Sequence, residues 1–413
     1  MARTSVDEVS NRLAEAGFVN IRSVETDDWV VYTLENDSYS LQASGLAAAV
    51  RIIEDAGLPD GKLVKVIATM YKLPEVTLTY CPDDAAWHTT YRLDESWKAV
   101  KDQEFKNDSF GNVDIVVYPQ LSVANLIINQ VYQTLFQINP ALECSLWPGG
   151  KITAQLQCPI YCNDGGAVGN LGYSDFQQVA RPGFITVSQS FRLPGNVFGR
   201  VSVGSFNSFQ MGLDLQFMHP FRNERFAVSA DIALLYNMYF SDITTISGQT
   251  DAKVVGGLTG SYYWAAQKTK FSLSAQQFLV GGFGLKAEVK RQFRHVSVGF
   301  YVEKGLWGDK IVRQTYVDKG VEYVISECVP ASFSDIKTNG GFRFSIALPP
   351  YHGKRRGHAP KVRTGNIGMT YNANNERYYY KEFKSEVSDN IMSENDFNPL
   401  YIDSEIKSLT NKQ

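Results

Sequence analysis

Between Gly183 and Tyr239 apolar and polar residues alternate with period two, the pattern of strands with one apolar face. Ile185, Val187, Phe191 and Leu193 fall on one face, and Thr186, Ser188, Ser190 and Arg192 on the other. Val201 and Val203 stand opposite Ser202 and Gly204. Phe209, Met211, Leu213, Leu215 and Phe217 stand opposite Gln210, Gly212, Asp214 and Gln216. Phe226, Val228, Ala230, Ile232 and Leu234 stand opposite Ala227, Ser229, Asp231 and Ala233. The breaks are short and rich in turn formers, at Pro194-Gly195-Asn196, Ser205–Ser208 and Pro220–Glu224, so the four strands form an antiparallel up-and-down meander. The polar face carries Ser, Thr, Gln and Gly with an occasional Asp or Arg, where a solvated soluble sheet carries more Lys and Glu. A barrel with an apolar exterior and a wet interior predicts this mixture.

The pattern extends both ways. Val113–Pro119 is an expected first strand, and Leu121–Gln130 reads as either a short helix or a strand. Tyr132–Ile138 and Ala141–Trp147 are expected as two strands joined at Asn139-Pro140. Ile152, Ala154, Leu156 and Cys158 then alternate with Lys151, Thr153, Gln155 and Gln157. Asn163–Arg181 is a Gly- and Asn-rich loop. Lys253–Trp264, Lys270–Leu279, Phe283–Phe293, His295–Lys304 and Phe342–Leu348 continue the strands. Gly305–Asn339 reads as a second long loop with a β-prone piece at Glu322–Ser326, and Arg363–Tyr371 as a closing strand. The count is about twelve strands, or fourteen.

The first 80 residues differ. Val9, Leu13 and Ala16 repeat at helical spacing behind Ser5, and Gly17 stops the helix. A hairpin (Asn20–Glu25, Trp29–Glu35), a helix (Ala43–Ala56) and a second hairpin (Leu63–Tyr71, Val76–Tyr80, turning at Leu73-Pro74) follow. The expected organisation is a small α+β domain over 1–80, a linker over 81–112, an all-β antiparallel barrel over 113–371, and a polar tail over 372–413 lying outside the barrel.

Composition changes the picture in three places. Phe, Trp and Tyr make up 13% of the 413 residues, which suits aromatic girdles at two membrane interfaces and also suits sugar stacking. No apolar run is long enough for a transmembrane helix, a test that barrels escape because only alternate residues face lipid. The net charge of −3 gives no footprint for nucleic acid. Met1–Val19 shows no secretory signal. An exported barrel requires one, so either a leader precedes this sequence in the precursor or the export reading fails.

The candidate chemistry is sparse. Cys81, Cys144, Cys158, Cys162 and Cys328 show no zinc or redox spacing; Cys158 and Cys162 are either a disulfide or two unpaired thiols. The five histidines are scattered, and no metal or cofactor is expected. The polar cluster that stands out is Lys286, Glu288, Lys290 and Glu303, with Asp214, Asp231 and Arg343, as lumen-lining groups. They either line a pore or fill the lumen as a salt-bridge network. Glu288 and Glu303 are the nearest approach to a glycosidase pair, but the adjacent lysines neutralise them more simply. No nucleophile elbow, zincin motif or P-loop is present, so no catalytic residue and no enzyme activity are expected. Pro349–Pro360 is basic, and reads as a rim segment meeting anionic headgroups or an acidic polymer, or as a solvated loop.

The opening stretch has Gly17-Phe18, Asn20-Ile21, and Glu35-Asn36 with Tyr39. It is followed by LWPGG at Leu146–Gly150 and GRVSVGSFNSFQMGLDLQFMHP at Gly199–Pro220. Together these resemble the YjbH-like exopolysaccharide proteins. The resemblance implies a non-enzymatic outer-membrane protein of a Gram-negative bacterium that assists production or export of an extracellular polysaccharide, with its small domain in the periplasm. The partners expected are outer-membrane lipid, a polysaccharide, and other envelope export proteins docking through residues 1–80. Two other readings stay open: a soluble all-β carbohydrate-binding or structural protein, and a barrel subunit of a larger envelope secretion or surface complex.

Overall fold

The computed structural model describes residues 4–83, 85–125, 132–163, 179–206, 210–279, 282–318, 321–331, 333–334, 338–372, 383–387 and 397–410. The chain opens with α1 (Val6–Glu15), β1 (Phe18–Glu25), β2 (Trp29–Asn36), α2 (Gln42–Asp55), β3 (Leu63–Met70), β4 (Leu73–Cys81), β5 (Ala86–Thr90) and α3 (Glu95–Val100). Ser5 Oγ accepts the Glu8 N–H at 3.3 Å and starts α1. Gly17, at φ +96°, turns the chain into β1. The sheet runs β1-β2-β3-β4-β5. Only β2 and β3 pair in parallel, because α2 carries the chain across between them. The sheet therefore reaches past residue 80 into the expected linker.

The β3–β4 hairpin turns at Tyr71-Lys72, two residues before the expected Leu73-Pro74. Both residues take positive φ (+50° and +65°), the twist a two-residue hairpin favours. Buried Glu35 stabilises this backbone by accepting both N–H groups, Tyr71 at 2.9 Å and Lys72 at 3.0 Å.

The barrel follows: β6 (Val113–Asn125), β7 (Tyr132–Cys144), β8 (Gly150–Gln157), β9 (Pro159–Cys162), β10 (Arg181–Leu193), β11 (Val197–Phe206), β12 (Gln210–Pro220), β13 (Phe226–Phe240), β14 (Ile246–Trp264), β15 (Thr269–Gln277), β16 (Phe283–Phe293), β17 (Val296–Asp318), β18 (Val321–Ala331), β19 (Asn339–Ile346), β20 (Lys361–Thr364) and β21 (Ile367–Asn372). The helix α4 (Pro399–Thr410) comes last. Thirteen strands close the ring, with β9 prolonging β8 along β7 and β18 folding back on the far half of β17. The all-β barrel behind a small α/β domain is thus as the alternation predicts.

Two expectations are revised by pairing. The Gly305–Asn339 loop is largely the β17–β18 hairpin. Tyr132–Ile138 and Ala141–Trp147 merge into the single strand β7 through Pro140. The missing Pro140 N–H falls where β7 changes partner, from β9 at Leu135–Gln137 to β8 at Ala141–Cys144, so no ladder bond is lost there. Most of the Asn163–Arg181 loop, the Tyr378-Tyr379-Tyr380 run and the Cys328 side chain lie outside the described residues. Cys158 and Cys162 are not joined by a disulfide.

The ring closes with a seam that the meander alone does not predict. In an alternating ring of odd strand number the first and last strands point the same way. β20 pairs in parallel with β6 at Asp114–Val117, and β21 does so at Gln120–Val123. Between them, at Gly365, a Cβ would lie 2.1 Å from the Tyr118 ring, so the break holds a residue without a side chain.

The two ends of the barrel differ. At one end the connections are short, at Pro194–Asn196, Phe221–Arg225, Ala265–Lys268 and Arg294-His295. The α/β domain docks on this turn end. Arg192 Nη1 donates to the carbonyls of Pro74 (2.8 Å) and Glu75 (3.2 Å). Glu224 accepts the Tyr91 N–H at 3.1 Å, and the Tyr91 ring meets Phe198 edge-on at 5.7 Å. The basic Pro349–Pro360 segment also belongs to this joint. Arg355 pairs with Asp37 and Asp114, and His352 N–H donates to Ser38 O at 2.8 Å. Lys354, Arg356 and His358 remain exposed.

The tail is not outside the barrel. β21 ends at the opposite, loop end, beside Gly341. Phe383–Val387 lies inside the lumen, where the Phe383 ring meets Phe206 edge-on at 5.2 Å. α4 then packs at the turn end, with Tyr401, Ile402 and Ile406 in the core of the α/β domain and Glu405 paired with Lys268 and Arg294 of the barrel turns. The polar composition of 372–413 hides this course because Ser385 and Glu386, the residues buried in the bore, are themselves polar.

Two outcomes follow from this joint. Ile402→Ala removes a fully buried side chain and is expected to lower the stability of the docked domain by about 2–5 kcal/mol, read from a denaturation transition followed by Trp87 fluorescence. Burial raises the Glu75 carboxyl to about 8, against the opposing pull of Arg192. The folded state then keeps a proton that the unfolded chain releases near the ordinary carboxylate range, so this group lowers stability as pH rises from about 5 to 8. Glu75→Gln is expected to flatten that slope and to stabilise most above pH 8, measured as melting midpoint against pH.

Candidate functional site

The barrel is inverted relative to a soluble core. Ile185 and Val187 are each 42% exposed, Leu213 45% and Phe300 63%, while Ser188, Ser202 and Asp214 are at most 2% exposed. Period two places one set outward and the other in the bore. The bore is therefore the candidate site, and two walls of it carry charge.

The first wall is β16, β17 and β19. Register sets Lys286 opposite Glu303, Glu288 opposite Tyr301, and both Lys290 and Arg343 opposite Gly299. Lys286 Nζ lies 3.7 Å from Glu303 and 4.0 Å from Glu288. Arg343 grips Glu288 through Nε at 2.5 Å and through Nη2. Asn339 donates to Glu303 at 3.0 Å. Gly299 makes the crossing possible, because a Cβ there would lie 3.1 Å from Glu288 Oε1 and 3.5 Å from Arg343. Both carboxylates are thus committed to cations, which leaves neither as an acid–base partner for the other.

The second wall is β8, β10, β11 and β12. It presents Lys151, Ser188, Arg200, Ser202 and Gln216 around the inserted tail. Lys151 Nζ donates to Glu386 at 3.0 Å and lies 3.5 Å from Glu143. Ser188 Oγ donates to Glu386 at 2.8 Å. Behind this wall Glu143 pairs with Arg363 of the seam (3.1 Å), which also pairs with Asp114 (2.8 Å). A chain of ion pairs therefore joins the bore to the docked domain.

Of the seven expected lumen residues, Lys286, Glu288, Glu303 and Arg343 come together in one cluster. Lys290 sits beside it on the wall of a cavity of about 360 Å³, with Arg343, Gln120, Gln155, Gln157 and Gln292. Asp214 lies across the bore beside Ser385, Gln216 and Arg200. Asp231 sits apart on β13, next to Gly257. The sequence also holds groups that the charge pattern did not single out. Lys151 had a signal, standing on the same face as Thr153 and Gln155. Glu386 had none, because a lone carboxylate in a polar tail looks solvated.

The cavity is in the size range of small-ligand sites. Its amides and hydroxyls offer donors and acceptors to a hydroxyl-rich ligand. Two further comparisons bear on its identity. By fold and site, the chain is a closed β-barrel protein with a polar, ion-paired bore and an α/β domain on one end. Residues 182–337 match the family model YjbH, described as exopolysaccharide biosynthesis protein YbjH, a stretch running from β10 past the β17–β18 hairpin. The quoted Gly199–Pro220 motif lies inside the match; Leu146–Gly150 and the opening helix and hairpin lie outside it. A search of curated proteins finds no match.

The first wall makes its own prediction. Lys286→Met leaves two buried carboxylates short of a shared cation, which is expected to destabilise the barrel by about 3–5 kcal/mol. The check is the temperature at which the barrel loses its heat-modifiable mobility on a denaturing gel.

Proposed function

We propose that the protein is an outer-membrane β-barrel that assists production or export of an extracellular polysaccharide and itself catalyses no step. The observation that carries this reading is the inverted burial. Each large apolar side chain left half in water forgoes on the order of 1 kcal/mol of burial, and the barrel repeats that loss strand after strand. Lipid around the barrel removes the loss. Trp264, Phe226 and Phe293 are exposed near the turn end and Trp307 toward the loop end, positions suited to two aromatic girdles.

Barrels of the outer membrane keep short turns on the periplasmic side. The α/β domain docks on the short-turn end, which supports a periplasmic place for it and for partners in the envelope. The family match supports the link to exopolysaccharide, and the amide-lined cavity suits sugar hydroxyls. The ion-paired state of Glu288 and Glu303 argues for passage or binding over cleavage.

The test is partition. Full-length protein refolded in detergent is expected to float with added liposomes and to show heat-modifiable mobility. A folded monomer that stays in solution without detergent, and does not float, would sink the membrane reading and favour a soluble carbohydrate-binding barrel.

A further inference from the structure

The second wall is organised around a group that the barrel strands do not supply. Phe383–Val387 has no strand partner, yet Ser385 and Glu386 are among the most buried polar residues, 0% and 2% exposed. Glu386 receives Lys151 at 3.0 Å and Ser188 at 2.8 Å, and Arg200 Nη1 stands 3.9 Å away. The neighbouring Ser385 hydroxyl accepts from Gln216 Nε2 at 2.9 Å and from Arg200 Nη2 at 3.4 Å. Arg200 Nε, also buried, makes no hydrogen bond among the described residues. Among the described residues, every side-chain partner of this carboxylate and hydroxyl comes from β8, β10, β11 or β12.

We infer that this wall is a binding site for an acidic saccharide, one bearing a carboxylate and an adjacent hydroxyl as a uronate does, and that the chain's own Ser385-Glu386 occupies it. The chemistry of the wall is matched to the group, not to the peptide. It supplies a lysine and an arginine for the carboxylate, a serine hydroxyl as an extra donor, and an amide for the hydroxyl. With the tail withdrawn, Lys151 keeps Glu143 at 3.5 Å and Arg200 keeps Asp214 nearby. The Lys151 and Ser188 donors that converge on Glu386 then lack that acceptor, and an incoming carboxylate restores it. The adjoining cavity of about 360 Å³, bordered by Lys384 and Val387 on either side of the pair, leaves room for the next sugar. The tail and an acidic polymer thus compete for one place in the bore. The inference rests on the polysaccharide reading above and specifies the charge of the polymer.

The experiment titrates detergent-solubilised full-length protein with oligogalacturonate and with a neutral oligosaccharide of equal length, by calorimetry at fixed ionic strength. The Ser385→Gly/Glu386→Gly variant is expected to bind the acidic oligomer at least tenfold more tightly than the native chain does, and at least tenfold more tightly than the neutral one. Adding Lys151→Met is expected to erase the gain. Equal affinity for the two oligomers, or no gain over the native tail, overturns the inference. Heat-modifiable mobility checks that the variant barrel is closed. If the glycine variant fails that check, Glu386→Gln decides by the same criteria, since it removes the charge and keeps the shape. Flotation reports on the membrane reading separately, so a chain that floats without binding either oligomer fails this inference alone.

Discussion

The barrel depends on closing its ring, so that the first and last strands meet. A sheet edge exposes a row of N–H and C=O groups, a template for pairing with another chain, and closing the ring removes it. Thirteen strands in alternation cannot close antiparallel throughout. The chain meets this by delivering β20 and β21 beside β6 in parallel. That delivery requires a connection running back across the turn end, and Ala347–Pro360 is that connection. Its contacts with Asp37–Ser40 make the seam and the docked domain one construction.

Closing a ring with its apolar face outward forces the polar face inward, where charge is expensive unless paired. The bore answers with short networks in place of isolated ions. Glu288 and Glu303 share Lys286, with Arg343 and Asn339 completing their shells. Glu143 is shared by Lys151 and Arg363. Small residues set the geometry as much as charged ones do. Gly299 lets an arginine and a glutamate meet across β17, and Gly365 admits the Tyr118 ring at the seam.

The barrel was legible because period two needs only local information. Ile185 against Thr186, or Leu213 against Asp214, already assigns a face, and the scarcity of Lys and Glu opposite the apolar residues already assigns a wet interior. The helix starts were equally local, as at Ser5. What was not legible depends on pairings distant in sequence. Pro140 reads as a break until β9 is known to end beside it. The parallel seam follows from an odd strand count, and splitting β7 in two at Pro140 is enough to upset it. Glu386 looks like any tail carboxylate until Lys151, 235 residues away, is placed against it.

A chain that lodges Phe383–Val387 inside a ring made from its own earlier residues, with α4 at the turn end, resembles a rotaxane in miniature. The last strands of the ring, β20 and β21, come immediately before the segment that passes through it. Either the ring shuts around a tail already in position, or the tail is drawn through a finished ring. Ring closure and placement of the tail are therefore coupled steps in the making of this molecule.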